Sequence, residues 1–165
     1  MITKEQVKNS LEAKWRLHQA KVYLALWGVV TAVMFFISLC YAAAEGMLDA
    51  GLWATGIMAL VYGVVFLPFV AFSYWKYLQI IRNWEKYEVH TVMLDQPGTS
   101  YMYKRSVYYT VKFQAKDGAF VTADTKPLWS SAAFAFCRLE EYNNKKIRIL
   151  YDPEADAVVV CDLAK

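Results

Sequence analysis

The hydrophobic pattern divides the chain into an apolar N-terminal half and a mixed C-terminal half. Neither residues 22–44 nor residues 52–75 contain a charged side chain. At a rise of about 1.5 Å per residue, each segment makes a helix of roughly 35 Å, enough to cross a hydrocarbon core of about 30 Å. The short segment AEGMLDAG connects them. The pattern therefore predicts a transmembrane helical hairpin over residues 22–75.

Two other structures are alternatives for these apolar segments. A pair of buried helices in a soluble bundle would need polar partners around it, and a chain of 165 residues is too short to supply them. A secretory signal would fit the basic start and Ala42-Ala43-Ala44, but its apolar core spans only about 7–15 residues. Apolar residues also make up 58% of the chain, above the roughly 45–50% of globular domains. These comparisons favour an integral membrane protein.

Lysine and arginine residues around the two segments predict the orientation. They flank the hairpin on both sides and are absent from AEGMLDAG: Lys4, Lys8, Lys14, Arg16 and Lys21 precede it, and Lys76, Arg82 and Lys86 follow it. Cytoplasmic flanks collect such residues. Both termini are therefore predicted to be cytoplasmic, at the inner (cytoplasmic) membrane.

The flanking segments are predicted to be helical. Thr3 and Gln6 fit a capping box, and residues 1–21 have the spacing of an amphipathic N-terminal helix. Residues 76–88 keep the helical spacing after the second span, which predicts a helical stalk. Within the spans, small residues one turn apart allow two helices to approach closely. These candidate packing residues are Gly28 with Ala32 and Ala59 with Gly63.

From residue 89 the apolar period changes from helical to two. In SVYYTVKFQ, Val107, Tyr109, Val111 and Phe113 alternate with polar or mixed positions, as in a half-buried strand. The turn Lys116-Asp117-Gly118 follows and predicts a hairpin. Residues 89–165 are therefore predicted to form a cytoplasmic β domain. The fold class is an α+β membrane protein: a two-helix transmembrane hairpin and a small, mostly antiparallel β-barrel or β-sandwich.

The end of this domain resembles a bacterial membrane-protein family of unknown function. The likeness runs through Tyr108-x-x-Val111-x-Phe113, a glycine turn, and Ile147-x-Ile149-x-Tyr151-Asp152-Pro153. Members of that family couple one or two transmembrane helices to a small β domain ending in a V-x-Y-D-P hairpin. A second proline, common in the family shortly after the first, is missing here. The resemblance implies this architecture and no catalytic residues.

The sequence carries no motif for catalysis, a cofactor or a metal. His18 and His90 are far apart in the chain, and no zinc, nucleotide or serine-hydrolase motif is present. Cys137 and Cys161 are predicted to be small buried side chains in a reducing compartment. A net charge of +3 is small for a nucleic-acid binder. The sequence thus predicts no enzyme activity, cofactor, metal or nucleic-acid partner.

One stretch is a candidate for binding a partner, because tyrosine and arginine are common at the centres of protein interfaces. Its residues are Tyr101, Tyr103, Lys104, Arg105 and Tyr108; they could equally be the amphipathic face of a hairpin. The function expected is a membrane-anchored interaction or assembly module that binds a protein partner, or itself as a homo-oligomer. An immunity or regulatory protein that neutralises a membrane-acting toxin or enzyme is the first alternative. A membrane-lipid enzyme is the second.

Overall fold

A computed structural model of the chain describes residues 2–100, 106–126 and 139–163. The chain divides into two compact units. One unit is Leu17–Lys76, which contains most of two long helices. The other joins Met1–Arg16 with Tyr77–Lys165 and contains all of the described β-strands. The predicted combination of long apolar helices and a β domain is confirmed.

Three α-helices are described before the strands: α1 (Lys4–Lys8), α2 (Leu11–Glu45) and α3 (Leu48–Arg82). A 3₁₀ helix at Trp84–Lys86 follows α3. The segment predicted to be a stalk is therefore helical as far as Arg82 and then tightens into this short turn. β1 begins at Glu88.

The N-terminal segment predicted as one helix over residues 1–21 is divided in the structure at Asn9 and Ser10. The capping box is present, with Gln6 N–H donating to the Thr3 hydroxyl and Thr3 N–H donating to the Gln6 side chain. Asn9 ends α1, and its side-chain amide donates to a carbonyl inside that helix. The Ser10 hydroxyl accepts a backbone N–H from the first turn of α2. Each helix thus has its own cap, which the spacing of apolar residues alone does not reveal.

The connection between α2 and α3 is shorter than AEGMLDAG. α2 ends at Glu45, and Gly46 has φ 70°, a left-handed conformation that glycine adopts without a Cβ clash. Met47 N–H donates to the Ala42 carbonyl at 2.9 Å, which completes a Schellman motif. α3 begins at Leu48. The helices therefore extend into the predicted loop from both sides.

α2 and α3 pack as an antiparallel pair within their unit. The Trp27 indole N–H donates to the Ala59 carbonyl at 3.2 Å. The rings of Tyr23 and Phe69 lie 5.5 Å apart between centroids. Residues early in α2 thus contact residues late in α3, as a hairpin requires.

Most other large apolar side chains of these two helices are exposed. In the most apolar window of each helix, 0% and 6% of the residues are buried. Both helices are long and apolar enough to cross a membrane. Exposed examples from both helices are Val29, Val33, Phe36, Trp53, Leu60 and Val64.

Six strands are described, and they form two three-stranded antiparallel sheets. The first sheet has the order β1-β5-β6 and the second β2-β3-β4. The described strands do not close into a barrel, so the barrel form of the prediction is wrong. The strands are β1 (Glu88–Met93), β2 (Pro97–Ser100), β3 (Ser106–Gln114), β4 (Phe120–Asp124), β5 (Lys146–Asp152) and β6 (Ala157–Leu163).

The stretch of chain through β1 and β2 passes from one sheet to the other. β1 pairs with β5, whereas β2 pairs with β3. In the connection, Leu94 N–H donates to the Lys145 carbonyl at 3.2 Å, and Thr110 N–H donates to the Gln96 carbonyl at 3.1 Å. A strand that changes sheets in this way makes a corner between them. Because of this corner, the described strands form two separate sheets and not one curved sheet that closes into a barrel.

Side chains from both sheets form one core. The predicted alternation in β3 is confirmed, because Val111 and Phe113 are buried while Lys112 and Gln114 are exposed. Trp15 of α2 and Leu139 join the same cluster. The other members are Val92, Leu94, Tyr109, Ala115, Ile147, Ile149, Tyr151, Val158 and Val160.

At Gly51 the two helices α2 and α3 approach closely, which leads to a prediction. A Cβ at Gly51 would lie 2.5 Å from the Ala42 Cβ and 3.1 Å from the Ser38 carbonyl oxygen. We expect Gly51→Ala to lower the free energy of unfolding by about 1–3 kcal/mol, the usual cost of overpacking. The measurement is unfolding of the full chain in mixed micelles, by titration with a denaturing detergent.

Gly56→Ala is the matched control, because a Cβ there meets nothing within 4 Å. In a helix, alanine in place of glycine should raise the free energy of unfolding by about 0.5–1 kcal/mol. Equal stabilisation by both changes would contradict the close contact at Gly51.

Candidate functional site

The predicted partner-binding residues fall mainly outside the described part of the chain. Tyr101, Tyr103, Lys104 and Arg105 lie there, and their role stays a prediction. Tyr108 is described, on β3, and is half-buried. Its register partner is Gly98 of β2, and its ring occupies the space that a Cβ on Gly98 would need. Part of the Tyr108 ring therefore covers the neighbouring strand.

The predicted helix-packing residues occupy two different surfaces. Ala59 supplies the carbonyl that accepts the Trp27 indole N–H, and a Cβ on Gly63 would lie 3.6 Å from that indole nitrogen. Gly28 and Ala32 are exposed, and a Cβ on Gly28 would meet nothing within 4 Å. The pair in α3 lies at the contact between the helices, whereas the pair in α2 does not. The close contact at Gly51 was missed, since a lone glycine at a helix start gives no packing signal.

A group of polar and aromatic residues lies where β1 passes beside the end of β3, and we call it the His90 cluster. It consists of Glu88, His90, Phe113, Tyr151 and Asp156. The His90 Nε2 atom lies 3.2 Å from the Glu88 Oε2 atom, and both side chains are 15% exposed. The His90 and Phe113 rings are 4.6 Å apart, and the Phe113 and Tyr151 rings 5.0 Å apart in an edge-to-face arrangement. The imidazole is thus held between a carboxylate and aromatic rings.

Glu88 also connects the two sheets. Its Oε2 atom accepts the Lys116 backbone N–H at 3.1 Å, in the turn between β3 and β4. Within the described residues, β1 has main-chain pairing with β5 and with no other strand. The carboxylate therefore makes a link between sheets that backbone hydrogen bonds do not make at this point.

Tyr151 remains a neutral hydrogen-bond donor in this cluster. Burial raises the pKa of its hydroxyl above the usual value, and the hydrogen bond to Asp156 raises the pKa further. The hydroxyl donates to the Asp156 Oδ1 atom at 3.1 Å. Glu88 is the register partner of Tyr151 in the pairing of β1 with β5. Tyr151 and Glu88 therefore lie at the same end of the domain. The bond fixes the turn between β5 and β6.

Four aspartates of the β domain accept hydrogen bonds that stabilise turns or strand ends. Such local bonds are the common reason for aspartate at turns. Asp117 accepts from Ala119 N–H, Asp124 from the Thr110 hydroxyl, Asp152 from Glu154 and Ala155 N–H, and Asp156 from the Tyr151 hydroxyl.

Lys86 and Tyr87 hold the start of the β domain. Lys86 pairs with Glu154, and this hydrogen bond raises the pKa of the Lys86 ammonium, which stays charged. Burial raises the pKa of the Tyr87 hydroxyl above its usual range, with Asp152 and Glu12 adding to the effect. The 3₁₀ helix that carries Lys86 is thereby tied to the turn between β5 and β6.

An ion pair between a buried carboxylate and an exposed lysine was not anticipated from the sequence. Glu12 is fully buried in the first turn of α2, and its Oε1 atom lies 3.3 Å from the Lys126 Nζ atom. Neither carboxylate oxygen accepts a hydrogen bond within the described residues. Burying an unpaired carboxylate costs several kcal/mol. Lys126 thus compensates a charge that α2 brings into the interior.

In the described ranges, the polar partner of His90 is Glu88, and no group of three or more His, Cys, Asp or Glu side chains could hold a metal ion. Cys40 and Cys161 are not joined in a disulfide, and Cys137 lies outside the described residues. Glu88 and His90 could have been found from the sequence, because residues two apart on a strand share a face.

Comparison with known proteins gave no match. No protein-family model matches the chain, and no curated protein or solved structure matches it.

The link through Glu88 leads to a prediction. Glu88→Ala removes the acceptor of the Lys116 N–H, so hydrogen exchange at that amide should speed up and the free energy of unfolding should fall by about 1–2 kcal/mol. Glu88→Gln keeps an oxygen acceptor and should cost less. Glu85→Ala, at an exposed carboxylate nearby, should change the free energy by no more than about 0.5 kcal/mol. Unchanged exchange at Lys116 in Glu88→Ala would show that the link is not formed in solution.

Proposed function

We propose that this protein is a membrane-anchored, non-enzymatic interaction module. Its two long helices anchor it, and its β domain binds a protein partner, or a second copy, at the cytoplasmic face. The observation that carries the proposal is that many large apolar side chains of α2 and α3 are exposed, and that in the most apolar window of each helix 0% and 6% of the residues are buried. Side chains of this kind are stable when lipid or another protein removes them from water.

The charge distribution supports the orientation. The connection between the helices consists of Gly46 and Met47, next to the exposed acidic residues Glu45 and Asp49. Lysine and arginine are absent from both apolar segments and from the connection, and they are present in the flanks on both sides of the hairpin. Cytoplasmic loops collect these basic residues. Both termini, and with them the β domain, are therefore assigned to the cytoplasm.

The use of the polar residues supports binding over catalysis. The aspartates of the β domain hold turns and strand ends, and the Glu88 carboxylate holds the link between the sheets. The candidate interface is the stretch from Tyr101 to Arg105, which lies outside the described residues. Its flanking residues, Ser100 and Ser106, are register partners in β2 and β3. The stretch therefore begins and ends at the same point of one hairpin and combines the residue types that anchor interfaces.

The membrane topology is tested by labelling single cysteines with an impermeant thiol reagent. Glu45→Cys and Lys165→Cys are made separately in a chain whose native cysteines are replaced by alanine. In intact cells we expect Glu45→Cys to react and Lys165→Cys to react only after permeabilisation. Reaction at Lys165→Cys in intact cells would place the β domain outside and overturn the orientation. Equal reaction of both sites in a soluble fraction would overturn the membrane anchor.

Partner binding is tested by cross-linking in native membranes, followed by affinity purification and mass spectrometry. The variant is Tyr103→Ala with Arg105→Ala. Loss of two central side chains of an interface should reduce recovery of the partner, or of a differently tagged second copy, by at least about tenfold. The matched control is Lys112→Ala with Lys116→Ala, which changes exposed lysines on the same hairpin. Equal recovery with both variants would show that this stretch does not form the interface.

A further inference from the structure

α1 lies beside the outer face of the β1-β5-β6 sheet, with a cavity between them. The cavity has a volume of about 400 Å³. Thr3, Gln6 and Asn9 line it from the helical side, and Leu150 and Cys161 line it from the sheet. Among its lining residues, Glu5, Gln6 and Asn9 are exposed, so the cavity opens to solvent. α1 therefore covers this part of the sheet without packing tightly against it.

Hydrogen bonds do not fasten α1 to the sheet. In the part of the chain that the structure describes, every hydrogen bond of residues 3–9 closes within residues 3–10. No ion pair joins this segment to a strand in the same part. The hydrogen bonds of this segment are therefore made within the segment and to Ser10. Its attachment depends on apolar burial.

That burial is concentrated in one side chain. Val7 is fully buried, whereas the other residues of α1 are exposed. A helix of five residues is far below the length at which helices are stable alone. When Val7 leaves its position, little else in α1 resists opening.

The start of α2 does not depend on α1. Ser10 is buried and caps α2 through its hydroxyl, and Lys14 N–H donates to the Ser10 carbonyl. Trp15, one turn later, belongs to the core between the two sheets. Asn9 and Ser10 can therefore act as the hinge, with everything after Ser10 held in place.

We propose that α1 is a displaceable strap: it opens at Asn9–Ser10 and exposes the cavity floor, including the thiol of Cys161, while both sheets stay folded. Local openings of this kind are typical of segments with few buried contacts. Cys161 is 6% exposed in the closed form. Its reactivity therefore reports the position of the strap.

The test measures the rate at which Cys161 reacts with a water-soluble maleimide, in the full chain in detergent micelles. Peptide mass spectrometry counts the Cys161 adduct separately from those of the other cysteines. Val7→Ala removes the buried side chain of the strap and should speed this reaction by about tenfold. Lys8→Ala, at the neighbouring exposed residue, should leave the rate within about twofold of the unchanged chain.

A second variant and a second measurement separate local opening from unfolding of the domain. Thr3→Ala removes the cap of α1 without touching the core, and should speed the reaction by a few-fold. In each variant the rate should depend only weakly on urea, because opening of the strap exposes little surface. A rate that rises with urea as steeply as global unfolding would overturn the proposal. So would equal rates in Val7→Ala and Lys8→Ala.

Discussion

Burial of apolar side chains is the constraint on which both units of this chain depend, and each unit meets it differently. In the β domain, residues of the two sheets bury one another, with Trp15 and Leu139 completing the core. On α2 and α3, each helix has one neighbour and can bury one face against it. The remaining faces carry exposed valine, leucine and phenylalanine. At about 25 cal/mol per Å² of apolar surface, leaving such faces in water is costly. A lipid bilayer or further copies of the chain remove that cost, and this is the physical basis of the proposed membrane anchor.

Polar residues in the β domain are used mainly to hold the two sheets and their turns in place. The corner at Leu94–Gln96 gives each of β1 and β2 a different partner strand, so the two sheets share one chain but little main-chain pairing. Side-chain hydrogen bonds make connections between the sheets and turns that backbone hydrogen bonds do not make. Glu88 reaches from β1 to the turn after β3, and the phenol of Tyr151 reaches the turn after β5. A carboxylate engaged in this way is less free to act as a general base. These hydrogen bonds stiffen the connections between the sheets and their turns.

The rigidity is not uniform, because the elements are attached by different means. The 3₁₀ helix before β1 is tied by the Lys86–Glu154 ion pair, and the start of α2 by the ion pair between buried Glu12 and exposed Lys126. α1 has no comparable tie in the described chain and depends on Val7. Local stability follows the number of buried contacts. The strap is therefore the element of this unit that moves at the lowest cost, beside a cavity that its movement would open.

The sequence by itself determined the features that depend on local periodicity and composition. Two uncharged apolar stretches predicted α2 and α3, the Thr3–Gln6 pair predicted a helix start, and alternation predicted which side of β3 is buried. These follow from the repeat of helix and strand and from side chains close together in the chain. The two-sheet arrangement, the corner at Leu94–Gln96, the division at Asn9–Ser10 and the Gly51 contact were decided by the tertiary structure. So were the Glu88 link and the Glu12–Lys126 pair, because each joins residues far apart in the chain. Periodicity states which face a residue occupies. Tertiary packing decides which element lies opposite that face. Packing also decides whether an oppositely charged side chain lies close to a buried charge.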